Sequence, residues 1–234
     1  MKLLIRYIPI LALTISIFSC KKDNYSEPQT FLTGHIVYKG DAIQVERNQV
    51  PFQIYQTGFG KVGAINGTFA QDGSYSAALF DGNYKLIIPN GQGPFLWKQT
   101  SSGAPDSLSI ILSGSQSIDI DVIPYYMIRN AQISASGGTV TATFKAEKII
   151  TDSALAKNIE RVSLYINKTQ FVSGGDNIGF KDMAGSGITD PNNITLSVSI
   201  PTIVPAQNYI FARVGIKIAN VEDMIFSPLQ KIQL

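Results

Sequence analysis

The sequence predicts an all-β protein made of two β-sandwich domains. Three observations predict it. Apolar residues from Phe31 onward recur with period two, clusters of Gly, Pro, Asn and Asp punctuate the runs, and helical spacing is confined to one short stretch. The chain has 234 residues, 44% of them hydrophobic, which is enough apolar material for one large or two ordinary domains. Only 15% are charged, against roughly 25% in an average soluble chain. The surface is therefore expected to be uncharged and polar, and disorder driven by charge is excluded. The formal net charge of +2 is far from the clustered excess of Lys and Arg that neutralising several phosphates needs, so no nucleic-acid partner is expected.

Residues 1–19 read as a lipoprotein signal peptide. Lys2 and Arg6 form a positive n-region and Tyr7 to Phe18 is an apolar run, too short for the roughly 20 helical residues of a bilayer span. The run ends in Ile17-Phe18-Ser19-Cys20, which resembles a bacterial lipobox and implies acylation of Cys20 and anchoring to outer-membrane lipid. An ordinary signal peptide with an incidental cysteine is the alternative, but Cys20 is the one Cys in the chain and sits where a lipobox needs it. Removing residues 1–19 takes Lys2 and Arg6 from nineteen basic residues and leaves seventeen, equal to the seventeen acidic ones. The mature chain is thus formally neutral. With Cys20 acylated, no thiol remains for a disulfide, a nucleophile or a zinc site. Residues 20–28 form a polar tether, and the charged stretch after Cys20 resembles, in a weak copy, the signal that sends Bacteroidetes lipoproteins to the cell exterior.

A first sandwich is expected over 29–124 and a second over 125–234, with Pro124 as the boundary. In the first, Tyr75 to Leu79 lies between Asp72-Gly73 and Asp81-Gly82, each of which can supply the φ > 0 position of a tight turn. Ile118, Ile120 and Val122 alternate with Asp119 and Asp121. In the second, alternation runs through Val140–Ala146, Val162–Ile166, Ile194–Ile200 and Ile210–Ile218. Such strands suit antiparallel sheets with one wet face, which places Ser163, Tyr165 and Asn167 on the polar side. The one helical stretch, Asp152 to Lys157, spans about a turn and a half.

The "DG-x-Y … G-x-Y-x-L" pattern at Asp72–Leu86, with Thr33-Gly34-His35-Ile36-Val37 before it, resembles the core of carboxypeptidase-regulatory-like domains, small transthyretin-like sandwiches. Together with the lipobox, Gln49-Val50-Pro51-Phe52, Asn90-Gly91-Gln92-Gly93-Pro94-Phe95, Val122-Ile123-Pro124-Tyr125-Tyr126 and Glu160-Arg161-Val162-Ser163-Leu164-Tyr165, it resembles the DUF3823 lipoproteins of Bacteroidetes. That resemblance covers essentially the whole mature chain. It implies a regulatory-like sandwich followed by an immunoglobulin-like one, and an accessory role beside SusC/SusD-type glycan-uptake proteins at the outer membrane. It carries over no catalytic or binding residue.

No signal for catalysis stands out. The single His, His35, falls within an expected strand rather than in a pocket with a nucleophile. Asp119 and Asp121 share the polar face of one strand, and small sandwiches seldom offer the deep cleft a glycosidase needs. The oxygen-rich stretches at Asp176-Asn177 and Asp190-Pro191-Asn192-Asn193 match no calcium-loop spacing and read as turns. No enzyme, metal or cofactor is therefore expected.

The best binding signal is a Gly/Pro loop with aromatic residues. Phe95 and Trp97 beside Gln92, Lys98 and Gln99 would form a carbohydrate platform, since sugars stack on flat rings and hydrogen-bond to amides. The same two rings could instead fold back to plug the sandwich end or the domain junction. Tyr125 and Tyr126 are expected to fill that junction, and the loop Thr169–Asn177, with Phe171, could form a second lip. The sequence thus points to a non-enzymatic surface lipoprotein that binds polysaccharide. The alternative is a structural spacer or protein-interaction module for a neighbouring uptake component.

Overall fold

The computed structural model describes residues 26–58 and 63–234. The expected signal peptide, Cys20 and the first part of the expected tether lie outside the described residues. Eleven strands build the N-terminal part: β1 (Thr30–Tyr38), β2 (Asp41–Ala42), β3 (Pro51–Gln56), β4 (Ala64–Thr68), β5 (Ser74–Leu79), β6 (Gly82–Ile87), β7 (Phe95–Leu96), β8 (Leu108–Leu112), β9 (Gln116–Ser117), β10 (Ile120–Asp121) and β11 (Ile123–Pro124). Eight build the C-terminal part: β12 (Tyr126–Ser136), β13 (Thr139–Lys148), β14 (Ile159–Asn167), β15 (Gly179–Ala184), β16 (Ile194–Ser199), β17 (Tyr209–Ile218), β18 (Met224–Phe226) and β19 (Gln230–Gln233).

The protein is two β-sandwiches. In the first, β1 pairs with β5, β2, β9 and β10, and this layer covers the sheet β4-β3-β6-β8. Leu32, Ile36, Ile54, Phe69, Leu86 and Ile110 fill the space between them. In the second, β12-β13-β16 packs on β15-β14-β17-β18, with β19 also on β17. The alternation of Val140, Ala142, Phe144 and Ala146 is realised as an inward-facing row on β13.

The structure departs from the sequence pattern in four places. Within the run Ile118–Val122 only Ile120–Asp121 is a strand, β10, flanked by the two-residue β9 and β11, and β9 and β10 lie parallel to β1 rather than antiparallel. Gly73 does take the left-handed conformation, at φ 79°, where a Cβ would meet the Ile43 carbonyl. Gly82 does not; Asp81 instead ties this turn to β1 and to the β8–β9 turn, its carboxylate accepting from the Thr30 hydroxyl at 2.8 Å and the Gly114 amide at 3.0 Å. Asp152 caps a single turn through Ala154 N at 2.8 Å and Ala156 N at 2.7 Å, and no helix forms there. Ser163, Tyr165 and Asn167 are buried rather than wet, because the N-terminal sandwich and the β14–β15 loop cover what would have been the open face of β14 and β17. Among the described residues, no helix is long and apolar enough to cross a membrane.

Candidate functional site

Two loops that the sequence marked come to the junction between the sandwiches, and they end in different states. The first is the Gly/Pro loop. Its Phe95-Leu96 pair forms β7 and zips onto Ile123-Pro124 of β11, which draws the rings inward. Phe95 is 4% exposed and Trp97 9%, and the Trp97 indole N–H donates to the Asp106 carbonyl at 2.7 Å. Gly93, at φ 82°, lies so close beneath Phe95 that any Cβ would sit 2.4 Å from the ring. The Gly93 amide donates to the buried Asp223 carboxylate at 2.7 Å, binding the loop to the second sandwich. Tyr125 and Tyr126 are buried beside it, and the Tyr126 hydroxyl donates to the Lys157 carbonyl at 2.9 Å.

An exposed platform of Phe95 and Trp97 is therefore corrected: both rings spend their faces on packing. The Lys98 ammonium lies 5.3 Å from the centre of the Trp97 ring, and Gln99 donates to Asn90 within the loop at 3.2 Å. What remains is a crevice of about 210 Å³ that reaches Gln92, Phe95, Trp97 and Gln99, with Tyr125 and Lys157 opposite. That volume falls below the 300 Å³ or so typical of ligand pockets.

The second loop, between β14 and β15, leaves its aromatic residue available. Phe171 is half-buried, beside a groove of about 790 Å³ that runs between the sandwiches. The N-terminal wall presents Gln44, Arg47, Asn48, Gln71, Asp72 and Ser76; the C-terminal wall presents Gln170, Phe171, Pro228 and Leu229. The Arg47 guanidinium stacks 4.2 Å from the centre of the Phe171 ring. Among the described residues it makes no ion pair. Burial acts to raise the Asp72 carboxyl, but the Ser74 hydroxyl at 2.6 Å and amide at 3.0 Å outweigh it, and the group sits below the usual carboxylate range. The groove thus holds one cation, one anion, several planar amides and two aromatic residues, Phe171 at its lip and the buried Tyr75 in its wall.

Gln71 fixes the two walls relative to each other. Its amide donates to the Gln170 carbonyl at 3.0 Å and accepts from the Val172 amide at 3.1 Å. Behind it lies Arg213 of β17, fully buried, with its guanidinium 3.8 Å from the Phe226 ring centre. Arg213 donates to the Val172 carbonyl and, at 3.0 Å, to the Val45 carbonyl of the other sandwich. Burial pushes this guanidinium down to about 9, while Glu46 and Asp176 favour its charged form. Arg129 adds a half-exposed pair, bridging Asp41 of the first sandwich and Glu147 of the second. Sequence reading missed Arg213, since in a strand that alternates around it a charged residue reads as solvent-facing.

The remaining sequence candidates do not converge. His35 lies on the outer face of β1 with its ring 3.9 Å from Asp119, whose carboxylate accepts the His35 amide at 2.9 Å. Asp190 is used by Asn192, through the backbone amide at 2.9 Å and the side chain at 3.2 Å, and Asn177 donates to the Ser173 and Gly174 carbonyls. Among the described residues, no group of three His, Cys, Asp or Glu is placed to hold a metal ion.

A family model described as "Protein of unknown function (DUF3823) N-terminal domain" matches residues 30–123, and one described as "Domain of unknown function (DUF3823_C)" matches 126–231. The chain belongs to the DUF3823 family. Among solved structures it is similar to a DUF3823 family protein from Parabacteroides merdae, with 31% identity and a TM-score of 0.76 over 89% of this chain and all of that one. A DUF3823 family protein from Bacteroides ovatus has 29% identity and a TM-score of 0.76, over 88% of this chain and all of the other. A third structure, described as a "putative carbohydrate binding protein" from Bacteroides uniformis, shares the fold at 16% identity and a TM-score of 0.67, over 88% of this chain and all of that one. The comparison with curated proteins finds no match.

Proposed function

We propose that this DUF3823 protein binds carbohydrate in the junction groove, as a non-enzymatic lipoprotein anchored through acylated Cys20 at the outer-membrane surface, and serves a SusC/SusD-type glycan-uptake system. The observation that carries the binding site is the groove's lining. Neighbouring sugar hydroxyls are paired donors and acceptors, and planar groups such as Asp72, Arg47, Asn48 and Gln44 can meet two of them at once. Phe171 beside them offers the apolar contact that the C–H face of a pyranose requires. A fold-level likeness to a protein described as carbohydrate binding adds support. The anchor rests on the lipobox, and the uptake partners on what the family resemblance implies.

The test is retardation of the soluble chain, Lys21 to Leu234, in native gels containing plant, host and microbial polysaccharides. Retardation by one glycan that is lost in Phe171→Ala and Arg47→Ala supports the groove. Retardation lost instead in the Gln92 and Gln99 variants would move the site to the small crevice. A second reading, a module that binds a neighbouring protein, draws on the edge strands β4 and β15, which leave Ile65 and Phe180 45% and 56% exposed. It is favoured if no glycan retards the chain and a protein partner co-purifies with it from outer membranes.

A further inference from the structure

We infer that the base of the N-terminal sandwich is a lipid-contacting surface, seated on the membrane that holds the anchor. This rests on the acylation of Cys20 proposed above. Three large apolar side chains sit at that end without partners: Phe31 and Phe80, each 47% exposed, and Ile111, 76% exposed. They belong to separate segments and flank this end on both sides, Phe31 projecting outward from β1 and Ile111 outward from β8 of the facing sheet, with Phe80 on the β5–β6 turn. Thr30 and Gly114 both donate to Asp81, the Phe31 amide donates to the Ser115 hydroxyl at 3.0 Å, and Gln116 donates to the Ile111 carbonyl at 3.2 Å. The start of β1, the β5–β6 turn and the β8–β9 turn are thereby tied into one base. The Gly114 amide and the Thr30 hydroxyl hold the Asp81 carboxyl below the usual range, so it stays ionised between them.

The occupant follows from where the chain leads. The first described residues, Ser26 to Gln29, run directly into β1 at this base. From Cys20 to Thr30 there are ten steps, at most about 35 Å when fully extended. The three apolar residues therefore cannot leave the neighbourhood of the acyl chains, and the local lipid concentration they meet is high. Phenylalanine rings at the level of the headgroups lose apolar surface to water without any fixed partner. The opposite end of β1, eight residues on and about 26 Å away, turns into β2, whose Asp41 pairs with Arg129 of the second sandwich. The base thus faces lipid while the junction groove stands clear of it.

The test uses the full chain, processed in a bacterial host and reconstituted in vesicles of three parts phosphatidylethanolamine to one of phosphatidylglycerol. Asn83→Cys places a thiol-reactive fluorophore opposite Ile111 in the β6–β8 register and leaves all three apolar residues intact. Val204→Cys, at a site 69% exposed on the second sandwich, is the reference. The expected result is several-fold stronger quenching by nitroxide-bearing lipid at 83 than at 204, falling toward the reference in the combined Phe31→Ser, Phe80→Ser, Ile111→Ser variant. Equal quenching at both sites, in a chain whose mass shows acylated Cys20, overturns the base contact and leaves the anchor standing. A chain with no acyl mass on Cys20 overturns the anchor first, and the base contact with it.

Discussion

The Gly/Pro loop and the β14–β15 loop both bring an aromatic residue and amides to the same junction, yet one buries its rings and the other leaves its ring at the lip of a groove. The difference comes from backbone pairing. Phe95 and Leu96 join β11 as a strand, so alternate side chains must point into the protein. Residues 169–171 join no strand, and only Val172 and Ser173 beyond them are buried. Aromatic content alone therefore does not mark a binding loop; the hydrogen bonds available to its backbone decide which way the rings turn.

This contrast can be broken by substitution. The largest effect is expected for Trp97→Ala, which empties a packed site and should cost about 3–5 kcal/mol, measured by urea unfolding, with polysaccharide retardation unchanged wherever the variant remains folded. Selective loss of retardation with full stability would reverse the roles given to the two loops. Next comes Arg213→Met, which leaves the Val45 and Val172 carbonyls without their donor. A loss of about 2–4 kcal/mol is expected in the same unfolding series, accompanied by faster proteolysis at the junction. Phe171→Ala should leave unfolding within about 1 kcal/mol of the parent, since its ring is half-exposed. Its expected effect is on glycan affinity, a loss of about tenfold by calorimetry.

The smallest effect concerns pH. Burial, the main cause, pushes the Asp223 carboxyl above its usual range, and the Gly93 amide opposes the shift. A carboxyl raised in the folded state makes its stabilising contribution below the ordinary carboxyl value near 4 and loses it as pH rises through the folded value. Asp223→Asn keeps an oxygen for the Gly93 amide and removes the charge. The variant should match or exceed the parent in stability at pH 7 and lose that margin below about pH 4, in unfolding curves taken across that range. A margin that instead grows on acidification would contradict the burial argument.

Much of the architecture was legible because one-sided burial writes period two into a strand. β13 and β16 follow it residue by residue, Val140 to Ala146 and Ile194 to Val198. The signal faded where burial became two-sided. On β14 and β17, Ser163, Tyr165 and Arg213 occupy the polar phase of the alternation, yet all three are buried, Tyr165 beneath Val172, Met224 and Phe226 and Arg213 against Val45 of the other sandwich. Around β10 the alternation was legible and holds, with Ile120 and Val122 buried and Asp119 and Asp121 exposed, but the parallel pairing with β1 was not, since a period says which face is buried and not which strand lies alongside. Of the groove only the Phe171 lip could be read, since Arg47 and Asp72 come from distant segments and are held opposite it by the contacts of Gln71 and Arg213 between the domains.

That clamp has a kinetic consequence. A groove walled by two freely hinged domains must first close, and a ligand would then lose affinity to the entropy of stilling them. Here the walls are already tied through Gln71, Arg213 and Asp223, so the ordering is done during folding. Association should then follow encounter without a slow closing step, and differences among glycans should appear in how long each one stays.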